Sequence, residues 1–260
     1  MEQFIHAAGH RVNTLQIGEV RADKPTLVFI HGGLDCIAMW RDFPSQVTEM
    51  TGLAAIVYER WGHGKSDPLV VPREGDPRED EAGAPLTDIF RHFGLKDVVL
   101  IGHSFGGAVA LLAAAKHPDT VRGVVAMAPQ LVMHPQCIDG VDLAEAAYKS
   151  GKLREKLVPF HGDNTDTLFF DWAGRSKTRA FQEKSYAREL EQIRCLVLEI
   201  FGEKDNYGYR PNLELSRECI TRPLSVLEIP EAGHYPHLET PEHVLKAIEA
   251  FVGVLPAAST

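Results

Sequence analysis

The sequence predicts an α/β fold: a mostly parallel sheet covered by helices on both faces. Three observations predict it. Short apolar runs of buried type alternate with helical patterns along most of the chain, the arrangement that builds a parallel sheet with both faces covered. The run Val98-Val99-Leu100-Ile101 leads into Gly102-His103-Ser104-Phe105-Gly106 and then into a small-residue stretch at 107–115, which reads as buried strand, tight turn and helix. The 260 residues, 44% hydrophobic and 24% charged, suffice for one domain with a substantial core and a smaller insertion.

The elements follow in order. Residues 4–8 and 12–17 alternate loosely and join across Gly9-His10, as a hairpin does. Residues 26–30 form a short buried strand that ends in His31-Gly32-Gly33. A helical pattern covers 37–49, and 54–58 is the next buried strand, followed by Glu59-Arg60-Trp61-Gly62-His63-Gly64-Lys65-Ser66. Residues 67–80 are rich in Pro, Asp, Glu and Arg and read as an exposed loop, with the charge run at 73–81 solvated. A helix disturbed at Pro85 spans 80–93. After the strand at 98 and its helix come strands at 123–127, 195–201 and 224–229, and an amphipathic helix at 241–252 with proline near its start. One stretch breaks the rhythm: 130–194 has helical patterns, such as 143–157, and the aromatics Phe160, Phe169, Phe170, Trp172, Phe181 and Tyr186, but no strand of buried type. It reads as a helical insertion, and a lid over the carboxyl edge of the sheet is its natural place. The expected division is a core of 1–129 with 195–260 and a lid of 130–194.

Composition narrows the function classes. A formal net charge of −9 argues against nucleic acid and anionic membrane, whose phosphates the surface would repel. No run of about 18 apolar residues is present to span a bilayer, and the amino terminus lacks the basic and apolar regions of a signal peptide. Cys36, Cys137, Cys195 and Cys219 are widely spread with no C-x-x-C pair, as isolated thiols of a cytoplasmic protein would be. The twelve histidines form no H-E-x-x-H or comparable cluster, so no metal and no other cofactor is implied. A small-molecule substrate is the expected partner; monomer and homodimer both fit.

The chemistry centres on Ser104. A serine hydroxyl is a weak nucleophile near neutral pH and needs a base to take its proton and a group to orient that base. After the strand at 197–201 comes Gly202-Glu203-Lys204-Asp205, and after the strand ending at Ile229 comes Gly233-His234. Ser104, Asp205 and His234 stand in Ser…Asp…His order, each just past the carboxyl end of a predicted strand, where parallel sheets build their sites. Glu203 is the nearest rival acid but lies closer to the strand end. His237 and His103 read as structural. A side chain at position 102 or 106 would collide with the neighbouring strand or helix, which explains the flanking glycines. The helix after Ser104 points its amino end at the reacting centre, where negative charge is favoured.

These motifs, with His31-Gly32-Gly33 and the 60–66 stretch, resemble the α/β-hydrolase fold superfamily over nearly the whole chain. Ala38-Met39-Trp40-Arg41-Asp42-Phe43-Pro44, Phe160-His161-Gly162-Asp163-Asn164-Thr165-Asp166 and Asp205-Asn206-Tyr207-Gly208 resemble a subgroup of small bacterial members. The resemblance implies an eight-stranded, mostly parallel sheet flanked by helices with a small helical lid. It also implies an oxyanion hole from the Phe105 amide and one from the loop 31–34, taken as Gly33. Leu34 and the aromatics Phe169 and Trp172 are the candidate pocket lining, although such aromatics more often form lid core. Glu59 departs from the aspartate usual before the arginine, which leaves the pocket rim open. The expected reaction is hydrolysis of carboxylic esters or related acyl bonds of a small to medium substrate through an acyl-enzyme. A carbon–carbon bond hydrolase of ring-fission diketones is the runner-up. Lactonase and thioesterase share the same triad, and a non-enzymatic binding module of the fold is the third alternative.

Overall fold

The structure, a computed structural model, describes residues 1–255; the last five residues of the expected core segment 195–260 lie outside the described residues. Among the described residues the apolar runs form eight strands: β1 (Glu2–Ala7), β2 (His10–Ile17), β3 (Thr26–Ile30), β4 (Ala55–Tyr58), β5 (Val98–His103), β6 (Val121–Met127), β7 (Leu196–Gly202) and β8 (Leu224–Ile229). They make one sheet in the order β1-β2-β4-β3-β5-β6-β7-β8. The β1–β2 hairpin and the β2–β4 pair are antiparallel; every other pair is parallel. Every residue of β3, β4 and β5 is buried, because helices cover both faces and alternation with polar residues has no role there.

Two apolar layers sandwich the sheet. Strand residues such as Val28, Leu100 and Val124 face α3 (Ala84–His92) and α4 (Phe105–Lys116). Their sequence neighbours Phe29, Ile101 and Val125 face α1 (Phe43–Thr51) and the last helix (Pro241–Gly253). The helix α4 is apolar all round rather than amphipathic, as its Ala- and Gly-rich sequence requires, since it packs between the sheet and other helices.

Between β6 and β7 the chain is helical throughout: α5 (Pro135–Lys149), α6 (Lys152–His161), α7 (Thr165–Ser176), α8 (Arg179–Gln182) and α9 (Ala187–Glu191). Helices α5 to α8 enclose a separate small core around Val141, Tyr148 and Phe169. Tyr186, Leu190 and Ile193, by contrast, pack into the layer beneath the sheet. Among the described residues no helix is long and apolar enough to cross a membrane.

Three sequence expectations are corrected. The helical pattern at 37–49 is two pieces, a 3-10 turn at Ile37–Trp40 and α1, because Arg41 takes a left-handed φ of 53° between them. The pattern at 143–157 is divided at Gly151, whose φ of 87° ends α5 and starts α6. The charge run at 73–81 is not a solvated loop. Its end is the short helix α2 (Pro77–Glu81), and Arg78 in it is fully buried, ion-paired to Asp76 and stacked over the Phe181 ring.

Candidate active site

The turn at the end of β5 sets the geometry. Ser104 has a φ of 52°, a strained conformation for a residue with a side chain, and it is held there by hydrogen bonds from its own amide to the Met127 carbonyl and from the Gln130 amide to its carbonyl. A Cβ at Gly102 would lie 2.1 Å from the Gly106 carbonyl oxygen, and one at Gly106 would lie 2.0 Å from that of Ile30, so only glycine permits the turn. The hydroxyl thus stands at the carboxyl edge of the sheet, at the amino end of α4.

Asp205 and His234 reach it from the next two strand ends. A Cβ at Gly202 would lie within 2.3 Å of the Ala232 and Gly233 carbonyl oxygens, so the missing side chain lets the two loops touch. They are tied together where the Glu203 amide donates to Ile229 and the Lys204 amide to Ala232. His234 Nδ1 then lies 2.7 Å from Asp205 Oδ2, and its Nε2 lies 2.9 Å from Ser104 Oγ. Asp205 is buried and its other oxygen accepts the Tyr207 amide; Glu203 is exposed and takes no part. The carboxylate of Glu239 accepts the Gly233 and Tyr235 amides and so clamps the chain on either side of His234.

His103 is a brace. Its Nε2 meets the His234 carbonyl at 2.8 Å, and its Nδ1 lies 3.3 Å from the buried Asp35. Burial alone would raise the Asp35 carboxyl, yet the hydrogen bond and charge of His103 hold it well below the usual carboxylate range. His237 packs against Trp40 and Phe43, and burial pushes its imidazole well below the ordinary value.

The loop after β3 is pinned by its carbonyls. The Gly32 carbonyl accepts the Arg60 guanidinium and pairs with His31 Nδ1. The Gly33 carbonyl pairs with His63 Nε2, and that of Leu34 with His161 Nε2. With three successive carbonyls turned outward, the amide of Gly33 is left without a protein acceptor among the described residues, as is that of Phe105 at the first turn of α4. Glu59, where aspartate was expected, uses its extra length. Its carboxylate accepts the Ile37 and Lys65 amides and the Asn13 side chain, so the rim is anchored rather than disturbed.

A cavity of about 60 Å³ lies beside Ser104 and His234. Leu34 and Trp172 line it as expected, together with Gln130, Cys137, Tyr207 and Asn212. Phe169 does not. It is fully buried inside the helical segment, stacked on Tyr148 with ring centroids 3.7 Å apart. The correction has a simple cause: on one helix Phe169 and Trp172 differ by three positions, yet only one end of that face reaches the sheet edge. Burial pushes the Cys137 thiol up to about 11, so it remains protonated. Among the described residues no group of three or more His, Cys, Asp or Glu side chains is disposed to hold a metal ion.

Comparison with known proteins agrees with this architecture. The family model described as the alpha/beta hydrolase fold matches residues 25–153. A 2-(acetamidomethylene)succinate hydrolase from Mesorhizobium japonicum is 25% identical, with 92% of this chain and 91% of that protein covered. A mouse sn-1-specific diacylglycerol lipase is 21% identical over 89% of this chain and 82% of its own. The solved structure of an alpha/beta hydrolase enzyme from a Medee basin deep-sea metagenome library superposes with a TM-score of 0.81 at 17% identity, covering 99% of this chain and all of the other. The chain belongs to the α/β-hydrolase fold superfamily. Tyr207, Asn212 and Glu239 are the residues of this α/β hydrolase that sequence reasoning missed; Tyr207, two residues past Asp205, was within reach of it.

Proposed function

We propose that the chain is a serine hydrolase of small carboxylic esters or closely related acyl bonds. The observation that carries the reading is the continuous hydrogen-bonded line from Asp205 through His234 to Ser104, ending beside two amides with no other acceptor. In this reading Ser104 Oγ attacks the carbonyl carbon and its proton passes to His234 Nε2. Asp205 fixes the ring through Nδ1–H and stabilises the imidazolium. The carbonyl oxygen, now anionic, takes hydrogen bonds from the Gly33 and Phe105 amides. The tetrahedral adduct collapses to an acyl-enzyme as the leaving alcohol takes the proton from His234. Water then gives a proton back to His234 and attacks the acyl carbon, and Ser104 leaves with that proton. No step calls on a cofactor; the reactants are the substrate and water.

Within the helical segment 130–194, helices α5 to α8 serve as a lid, because Trp172 on α7 closes the cavity over Gly33. Size supports a small substrate. At about 60 Å³ the cavity is well under the roughly 150 Å³ of one that holds benzene, which suits a short acyl group. Hydrolysis of p-nitrophenyl acetate, butyrate and octanoate tests the reading. Acetate and butyrate should give the higher kcat/KM, and Ser104→Ala should lower turnover at least about 10³-fold. Undiminished turnover by Ser104→Ala overturns it.

A further inference from the structure

A second chamber of about 30 Å³ adjoins the cavity at Ser104 and shares with it a wall of Gly33, Gln130 and Trp172. Gly33 and Phe105, the two amide donors, form part of its lining. Three arginines, Arg60, Arg73 and Arg175, line it among apolar and neutral side chains such as Leu168 and Phe181, against a single carboxylate, Asp171, which is already paired with Arg175 at 3.1 Å. Glu81, also buried, accepts the Tyr58 hydroxyl and stands near enough to act on the charges of Arg60 and Arg73.

The hydrogen-bonding capacity of these cations is not used up. Arg60 is 3% exposed. One of its terminal nitrogens serves the Gly32 carbonyl, but its buried Nε has no partner. Arg175 spends its terminal nitrogens on the Gly75 and Arg73 carbonyls and on Asp171, and its buried Nε is likewise unpartnered. Arg73 is the most informative. It is half-buried, its guanidinium lies 5.8 Å from the centre of the Trp61 ring, and it makes no hydrogen bond or ion pair among the described residues. The two buried Nε–H groups that lack a partner among the described residues call for an acceptor. The paired N–H donors of a guanidinium match the two oxygens of a carboxylate.

We infer that this chamber is a carboxylate-binding subsite of the same active site, so that the preferred substrates are small esters bearing one carboxylate. The inference rests on the hydrolase reading above and deepens it. The carboxylate can belong to the acyl group or to the leaving alcohol. Two matched pairs separate these sources, each comparing a carboxylate with the isopropyl group of its shape. For the acyl side the pair is methyl hydrogen succinate against methyl 4-methylpentanoate; for the alcohol side, 3-acetoxypropanoate against 3-methylbutyl acetate.

At pH 7.5 one anionic member should exceed its neutral match in kcat/KM by about 10- to 100-fold, the range of a charged hydrogen bond. Arg73→Met should reduce that ratio about tenfold or more, and Arg73→Lys should restore part of it. Ratios at or below one in both pairs, with the neutral esters hydrolysed, overturn the subsite and leave the serine hydrolase standing. Failure of all four esters, together with no adduct at Ser104 after exposure to a fluorophosphonate, overturns the hydrolase reading instead. Calorimetric titration of Ser104→Ala with succinate decides the subsite independently of turnover. Binding that Arg73→Met abolishes supports it, and no binding refutes it.

Discussion

Glu199 offers the most quantitative test of the core that holds the site. It lies in the middle of β7, paired on both sides, and is fully buried. One oxygen accepts the Ser216 hydroxyl at 2.6 Å, and the other has no partner. Burial pushes the carboxyl up from 4.5 to about 8, so the folded protein carries it as the neutral acid at pH 7. An unfolded chain has released that proton. The folded value lies above the unfolded one, so the contribution of this group to stability is fully present below pH 4.5 and is lost as pH rises toward 8. At about 1.4 kcal/mol per pH unit, the loss at pH 7 is about 3 kcal/mol. Glu199→Gln keeps the shape, keeps an oxygen for Ser216 and removes the titration. The variant should match the parent near pH 4.5 and exceed it by about 3 kcal/mol at pH 7. That corresponds to about 6–12 °C in Tm for a chain of this size. Urea denaturation of both proteins from pH 5 to 9 measures the difference. Equal pH slopes for the two proteins, or a less stable variant at pH 7, refute the reasoning.

Other outcomes follow from the site. Asp205→Asn keeps the volume but presents the wrong hydrogen-bonding partner to His234 Nδ1. It should lower kcat on a short p-nitrophenyl ester by about 10³–10⁴-fold while KM changes little; a loss under tenfold contradicts the assigned role. Gly33→Ala places a Cβ 2.7 Å from Trp172 Nε1, so either the loop or the ring must move. If the loop moves, an amide donor is displaced and kcat should fall about 10²–10³-fold; Trp172→Phe in the same chain should recover part of it, and no recovery would mean that the ring is not the obstacle. His31, His63, His161 and His237 are all buried, and burial drives each imidazole below the ordinary 6.5. The unfolded chain therefore takes up protons first, so the contribution of these histidines to stability is full above about pH 6.5 and falls on acidification, by up to about 1.4 kcal/mol per pH unit for each histidine. Denaturation curves between pH 7.5 and 5 should show this loss, and His161→Gln should reduce its slope; a flat profile would rule it out.

Much of the fold was legible because its signals are local. Residues 27–30 and 98–101 are unbroken apolar runs, and burial on both faces demands that pattern. The turn at Ser104 was legible because its glycines are dictated by backbone contacts within a few residues or across one neighbouring strand. Asp205 and His234 could be placed because each follows a strand directly. What escaped depends on partners far away in the chain. Arg78 sits in a stretch whose composition suggests solvent, yet it is covered by Phe181, over 100 positions later. His161 looks like an ordinary residue at a helix end. Its role exists only because Leu34 and Gly64, about 100 residues earlier, meet it in space. Phe169 and Trp172 share a helix, and no local signal says which one faces the sheet edge. The breaks at Arg41 and Gly151 are single backbone choices inside otherwise helical patterns.

The central claim is that the hydroxyl at 104 is an activated nucleophile. Mass spectrometry of the intact chain after brief exposure to a fluorophosphonate tests it most directly. One adduct should form, map to the peptide containing Ser104, vanish in Ser104→Ala and form far more slowly in His234→Ala. An unmodified chain, or an adduct on another residue with Ser104 free, would contradict the account.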